Sequence, residues 1–295
     1  MTNTLIQRDV LIQQARAELG VTPMRQFNAE HAIRTRLDFL KSHLKASGLR
    51  GFVLGISGGV DSLTAGMLAQ RAVDELNREL NDEHASTSNS TAQRYQFIAM
   101  RLPYGEQRDE SEAQHALAAI NPDLVLTVNI QAASDALHHA VLQTLPSHTN
   151  SDFQLGNVKT RQRMVAQYDV AGMEQLMVIG TDHNAEALMA FYTKFGDGAC
   201  DIAPLQGLNK RQVRTLAQTL GAPASLYNKQ PTADLENDRP QIADETVLGV
   251  SYDEIDDFLE GKLVSDNAIE TILRWYDKGR HKREPIYSLL THPSL

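Results

Sequence analysis

Residues 51–70 read GFVLGISGGVDSLTAGMLAQ. The apolar run FVLGI ends in a glycine turn, and a helix-compatible stretch follows, which is the grammar of strand, turn and helix start. Gly58 and Gly59 let backbone amides approach an oxyanion with no side chain in the way. The helix start adds free N–H groups and a partial positive charge, and Ser57 and Ser62 can donate hydroxyls. The turn reads as a phosphate cradle. It lacks the G-x-x-x-x-G-K-[ST] spacing, however, and has no lysine to neutralise a γ-phosphate. In its place stands Asp61, a carboxylate that would repel a polyphosphate unless a divalent cation lay between them. Oxygen ligands together with phosphate oxygens are what Mg²⁺ prefers. The loop therefore predicts a pyrophosphate leaving group held with Mg²⁺.

The pattern around this turn predicts the fold. Residues 29–48 carry Ile33, Leu37, Leu40 and Leu44 on one helical face, and a second helix is predicted from Ser62 to Leu80. Short apolar runs recur at FIAMRL (97–102), VLTVNI (125–130) and LMVIG (176–180), with helical patterns at 109–120, 131–145 and 156–170 between them. Such alternation predicts an α/β fold, a doubly wound and mostly parallel Rossmann-like sheet covered by helices on both faces. Ligands of such sheets bind beyond the carboxyl ends of the strands. From Phe195 onward the chain reads as loops and helices. Its acidic stretch SYDEIDDFLEGK (251–262) reads as a solvated helix face, and the polar insertion at 81–94 as a flexible surface loop. The expectation is one domain over residues 1–295.

Composition narrows the class. The chain has 295 residues, 42 % hydrophobic and 22 % charged, as in a soluble globular protein. No run reaches about eighteen apolar residues, and the N-terminus carries charges where a secretion signal needs apolar residues. A single cysteine, Cys200, excludes an intramolecular disulfide and a cysteine-rich zinc site, and fits a reducing cytoplasm. A net charge of −9 argues against a general nucleic-acid binder, while an anionic small substrate stays open if basic side chains cluster locally.

The stretch at 176–201 repeats the first motif, with Thr181 and Asp182 as candidate N-caps and Glu186 in the first turn of a helix. If this strand neighbours the first, Glu186 and Asp61 converge on one crevice. Residue chemistry alone fits equally a Mg²⁺ pair and a capped helix with acidic residues near its positive end. His183 reads as a non-ligand in the absence of a His/Cys cluster, and Cys200 as a packed small side chain rather than a nucleophile.

The loop SGGVDS resembles the motif of the ATP pyrophosphatase (PP-loop) enzymes, which cleave ATP between the α- and β-phosphates and adenylate an acceptor oxygen. Further motifs narrow the resemblance: GTDHNAEA (180–187), TKFGDG (193–198), PTADLENDRPQ (231–241) and HKR (281–283), with RLPYGEQ (101–107), KTRQRM (159–164), GLNKRQ (207–212) and LGVSYDEIDDFLEGK (248–262). In this order they resemble the ammonia-dependent NAD synthetases over residues 30–285. The resemblance implies that Gly55, Ile56, Ser57, Gly58, Gly59, Val60, Asp61 and Ser62 bind ATP, with Asp61 and Glu186 on Mg²⁺. It places Arg101, Gln107, Thr181, Lys210 and Thr232 against ATP, and Arg161, Lys194, Asp201, His281 and Lys282 against deamido-NAD. It also implies a homodimer with the dinucleotide site near the interface; the helix at 29–48 is a candidate contact, and its apolar face fits equally a cover for its own sheet.

The implied reaction has two steps. The deamido-NAD carboxylate attacks the α-phosphorus of ATP, and pyrophosphate leaves. Ammonia then attacks the acyl-adenylate, releasing AMP and NAD. Asp61 and Lys210 are the catalytic candidates, and no protein nucleophile is required. Glutamine-dependent relatives carry an added amidase domain with a catalytic cysteine, for which this chain has no spare length, so free ammonia is the expected donor. The tail REPIYSLLTHPSL lacks the aromatic ending of bacterial relatives. Two other readings compete. A tRNA-modifying PP-loop enzyme would need a basic extension that this acidic chain lacks. A nucleotide sensor of the universal-stress type would not need Asp61, Glu186 and Lys210 together.

Overall fold

The computed structural model describes residues 2–85, 94–106, 110–145, 152–233 and 242–291. In chain order come α1 (Thr2–Leu19), α2 (Ala29–Ser47), β1 (Gly51–Gly55), α3 (Val60–Ala85), β2 (Gln96–Arg101), α4 (Glu110–Ile120), β3 (Leu124–Thr127), α5 (Gln131–Thr144), α6 (Asp152–Glu174) and β4 (Met177–Val178). Then follow α7 (Asn184–Met189), α8 (Lys210–Thr219), α9 (Ala224–Tyr227), β5 (Thr232–Ala233), β6 (Ile242–Ala243), α10 (Asp244–Leu248), α11 (Tyr252–Leu259), α12 (Asp266–Lys278) and α13 (Arg280–Arg283).

The main sheet has the order β3-β2-β1-β4 and every pairing in it is parallel. Alternate residues of β1 face opposite layers. Phe52 and Leu54 join a core with α2, α3 and α8, whereas Val53 packs with Val178, Leu176 and Ala171 on the α6 side. Both faces of β1 and β2 are thus covered by helices, as their apolar residues require, whereas the edge strand β3 leaves Leu124 and Val125 exposed. After β3 the chain crosses back to place β4 on the far side of β1, so the strand order reverses between β1 and β4. Ligands of open parallel sheets bind at such a reversal. A separate apolar cluster joins α1, α7, α11 and α12 through Ala15, Leu188, Ile255 and Ile272.

Several expectations change. α2 buries Ile33, Leu37, Leu40 and Leu44 against its own sheet layer, so its apolar face is not available as a dimer contact. α3 runs to Ala85, five residues into the segment read as a loop, and residues 86–93 lie outside the described ones. α1 was not legible, because its apolar residues do not mark one clean face. Packing of Leu11, Ile12, Ala15 and Leu19 on α7, α11 and α12 holds it, together with Arg16, which donates to the Phe258 carbonyl (3.0 Å), and Asn184, which donates to the Leu19 carbonyl (2.9 Å). The acidic stretch at 251–262 forms α11, but Tyr252, Ile255, Asp256, Phe258 and Leu259 are buried, so it is not a purely solvated face.

Candidate active site

The glycine loop closes on itself before it meets any ligand. Its Ile56 N–H donates to the Met100 carbonyl (2.8 Å), and the Gly55 N–H donates to Gln167 Oε1 on α6 (2.7 Å). Ser57 and Ser62 place their hydroxyls 3.2 Å apart, and the Gly59 N–H donates to Ser57 Oγ (3.3 Å). Ile56 and Val60 point into the core, which anchors both ends of the turn. Gly58 has φ +90°, and a Cβ there would stand 3.0 Å from the Ala113 backbone nitrogen, so this position requires glycine. A Cβ on Gly59 would meet only Ser57 Oγ at 3.4 Å, which leaves its side of the loop open.

Asp61 at the start of α3 and Glu186 in the first turn of α7 converge, as the neighbouring of β1 and β4 demands. Lys210, the first residue of α8, joins them. Its Nζ donates to Asp61 Oδ2 (2.7 Å) and lies 3.6 Å from Glu186 Oε1. His183, rather than Thr181 or Asp182, is the N-cap of α7, with Nδ1 accepting the Glu186 N–H. Its Nε2 is 3.4 Å from Asp61 Oδ1 and 3.5 Å from Glu186 Oε1. The Lys210 ammonium also sits 4.9 Å from the centre of the Tyr252 ring.

The electrostatics follow from burial and neighbours. Burial by itself would raise the Asp61 carboxyl, but Lys210 and His183 hold it well below the usual range. Burial pushes Glu186 up to about 8, with Asp61 and Asp182 adding to the rise and His183 and Lys210 opposing it. Burial would lower Lys210, but the two carboxylates hold it above its ordinary value. Among the described residues, Asp61 Oδ1 is buried and accepts no hydrogen bond. One ligand atom from each of Asp61, His183 and Glu186 falls within 4.8 Å of the others. Two carboxylates, one with an unsatisfied oxygen and one destabilised by burial, suit a hard divalent cation.

The other sequence candidates divide into groups. Arg101 is 2 % exposed; its guanidinium donates to the Ile56 carbonyl (2.5 Å) and to Glu110 (2.6 Å), which braces the loop from beneath. Thr181 sits half-buried in the turn after β4. Gln107 and the Thr232 side chain lie outside the described residues, although the Thr232 backbone pairs with Ala243. Four basic candidates gather around residues 190–198. Arg161 donates to the Lys194 carbonyl (3.2 Å), Lys194 to the His281 carbonyl (2.5 Å) and Lys282 to the Ala190 carbonyl (2.8 Å). Asp201 instead bonds the sheet, accepting the Val178 N–H (2.8 Å) and the Tyr168 hydroxyl (3.2 Å). A cleft of about 250 Å³ opens beside His183, lined by Leu19, Asp182, Tyr192, Gly198 and Lys282.

Sequence reasoning set His183 aside as a ligand, yet it stands between both acidic residues. The signal was the H-x-x-E spacing at a helix start, which puts a capping side chain and an acidic residue on the same turn. Cys200 behaves as expected of a packed residue: a Cβ on Gly180 would overlap its sulfur, and burial, with Asp182 and Asp201, pushes its thiol up to about 11.

Comparison with known proteins agrees with this geometry. The family model described as NAD synthase matches residues 32–286. The NH(3)-dependent NAD(+) synthetase of Pseudoalteromonas translucida is 51 % identical over 277 residues, covering 92 % of this chain and 95 % of that protein. The crystal structure of NAD+ synthetase from Burkholderia pseudomallei superposes with a TM-score of 0.74 at 47 % identity, covering 92 % and 95 % of the two chains. The structure of NMN synthetase from Francisella tularensis gives 0.73 at 33 % identity, with 89 % and 99 % covered. The family match spans both the glycine loop and the acidic pair, and the chain belongs to the NAD synthase family.

Proposed function

We propose that this chain is an ammonia-dependent NAD synthetase, a ligase that uses ATP to convert the nicotinate carboxylate of deamido-NAD into the amide of NAD. The observation that carries this reading is the convergence of Asp61, Glu186 and Lys210 beside the glycine loop, at the reversal between β1 and β4. A loop for phosphate, two carboxylates for a cation and one lysine are the parts that α–β cleavage of ATP needs. The whole chain serves as one synthetase domain.

Asp61 and Glu186 hold Mg²⁺ in this reading, with His183 bracing both carboxylates. When bound, the ion neutralises phosphate oxygens. The amides and hydroxyls of Ser57–Ser62 orient the departing pyrophosphate. Lys210 presents a compact charge to the oxygen that becomes more negative as the α–β bond breaks. Arg161, Lys194 and Lys282 gather positive charge, with His281 beside them, where deamido-NAD brings phosphates and a carboxylate, and Arg161 can grip either with two parallel hydrogen bonds. Ammonia attacks the adenylate directly. The neutral, packed thiol of Cys200 takes no part.

The working form in this reading is a cytoplasmic homodimer. Leu124 and Val125 on the edge strand β3, Leu137 and Val141 on α5, and Val165 and Met173 on α6 are exposed. Apolar surface on an edge strand and a packed helix pair is what a partner subunit would cover. Among the described residues no helix is long and apolar enough to cross a membrane.

The test supplies ATP, Mg²⁺ and deamido-NAD with either ammonium or glutamine, and nicotinate mononucleotide as a competing acceptor. NAD formed with ammonium, little with glutamine, and preference for the dinucleotide are the expected results. Preference for the mononucleotide would move the chain to the chemistry named for the Francisella relative.

A further inference from the structure

The acidic helix α11 has no place in the chemistry above, yet one of its carboxylates is buried against the root of Lys210. Asp256 is 1 % exposed. Its Oδ1 accepts the Lys210 N–H (3.1 Å) and its Oδ2 accepts the Arg211 N–H (2.7 Å). The remaining amides of that turn are also engaged. Gln212 N–H donates to the Asn209 side chain (2.9 Å) and Val213 N–H to the Asn209 carbonyl (3.0 Å).

A helix N-terminus beside a phosphate site ordinarily offers these amides to the anion. In α8 a resident carboxylate already takes the first two, so α8 presents the Lys210 side chain alone. The same helix α11 touches the other end of that lysine through the Tyr252 ring, 4.9 Å from Nζ. A carboxylate binding two successive amides fixes both the position and the rotation of the first turn. That fixes the direction in which a long, otherwise mobile side chain leaves the backbone. Arg211 ties the two helices a second time, through Asp253, Asp257 and Glu260 at 3.0 Å each, but its contacts do not touch Lys210.

We propose that Asp256 is a positioning residue for the amidation reaction, acting through the first turn of α8 to aim the Lys210 ammonium at the reacting phosphates. The proposal rests on the assignment of Lys210 to ATP. It separates from a merely structural role because the effect of losing Asp256 must pass through Lys210.

The experiment is a double-mutant cycle in turnover on the full chain, using Asp256→Asn, Lys210→Gln and the combination, with thermal unfolding of each. Asn keeps one acceptor but turns an NH₂ toward the second amide. Asp256→Asn is expected to lower kcat by about 10- to 100-fold, with KM for deamido-NAD little changed. In the Lys210→Gln background the same substitution is expected to cost nothing further. Arg211→Gln, the structural control, is expected to lose thermal stability and keep the parental kcat. If Asp256→Asn does not fold, Asp256→Glu takes its place, with reduced kcat expected. Parental kcat in the folded Asp256 variant, or losses that multiply in the double variant, would overturn the proposal. Undiminished turnover in Lys210→Gln would contradict the Lys210 assignment itself, and the proposal with it.

Discussion

The Lys210 ammonium stands 2.7 Å from Asp61 Oδ2, although 149 positions separate the two residues. One comes from the helix after β1 and the other from the start of α8, and Glu186 joins them from the helix after β4. In this arrangement the lysine charge lies between two carboxylates, where a divalent cation would also be attracted.

Removing the lysine charge therefore strands the Asp61 carboxylate, while Glu186, already pushed up by burial, loses a neighbour that opposed the rise. Lys210→Met is expected to lose about 3 kcal/mol of stability in the presence of a chelator, because a buried charge loses its partner. Mg²⁺ is expected to restore most of this while turnover stays down by about 100-fold, since the ion replaces the ammonium between the carboxylates but not at the leaving group. Urea unfolding with and without Mg²⁺ checks the first part, and an Mg²⁺-independent midpoint would contradict the metal assignment.

The two loop glycines should respond differently. Gly58→Ala forces a side chain into φ +90° and against the Ala113 backbone, so it is expected to lose about 1–3 kcal/mol and activity with it. Gly59→Ala meets only Ser57 Oγ at 3.4 Å and is expected to keep parental stability. If the loop cradles phosphate, a methyl here takes up space on the open side of the loop, and turnover is expected to fall by at least about tenfold. Equal loss of stability in both variants would contradict the loop geometry.

Acid should unfasten α2 from α3. Arg34 and Lys41 on α2 pair with Glu75 on α3, and Lys41 and Lys45 pair with Glu79. Burial opposes the shift at Glu75, but the bonds from Arg34 and Lys41 hold its carboxyl below the ordinary value, and Lys41 and Lys45 do the same for Glu79. A carboxyl lowered in the folded state stabilises fully above its unfolded value of 4.5 and loses that contribution as pH falls through the folded value. Glu75→Gln is expected to be about 1 kcal/mol less stable than the parent at pH 7, with the gap closing as the pH is taken below about 4. A gap that stays constant in denaturant titrations across that range would count against the network.

The dimer assignment has its own readout. Val141 on α5 is exposed and belongs to no buried core. Val141→Glu is expected to leave thermal stability at high dilution unchanged and to shift sedimentation from dimer to monomer. A parental sedimentation profile would move the interface elsewhere.

What could be read from the chain was local. The strand, turn and helix start at 51–62 and their echo at 176–186 depend on residues a few positions apart, so both Mg²⁺ candidates were visible before the fold was. The gathering of Arg161, Lys194, His281 and Lys282 required family motifs, since a single surface cation carries no signal of its partners. Asp256 was visible as charge but not as function, because its two amide partners lie 45 and 46 positions away. α1 failed for a related reason: its stability comes from the cluster on α7, α11 and α12 rather than from its own periodicity. The family resemblance of RLPYGEQ implies that Arg101 contacts the nucleotide. The sheet instead buries its guanidinium under the loop, where it holds the Ile56 carbonyl.

The central claim is that this site cleaves ATP between the α- and β-phosphates by joining a substrate carboxylate to the α-phosphorus. Deamido-NAD labelled with ¹⁸O in its nicotinate carboxylate tests this directly, with mass analysis of the products after turnover with ammonium. The account predicts one labelled oxygen in AMP for each NAD formed and none in pyrophosphate. Label in phosphate or pyrophosphate, or ADP in place of AMP, would contradict it.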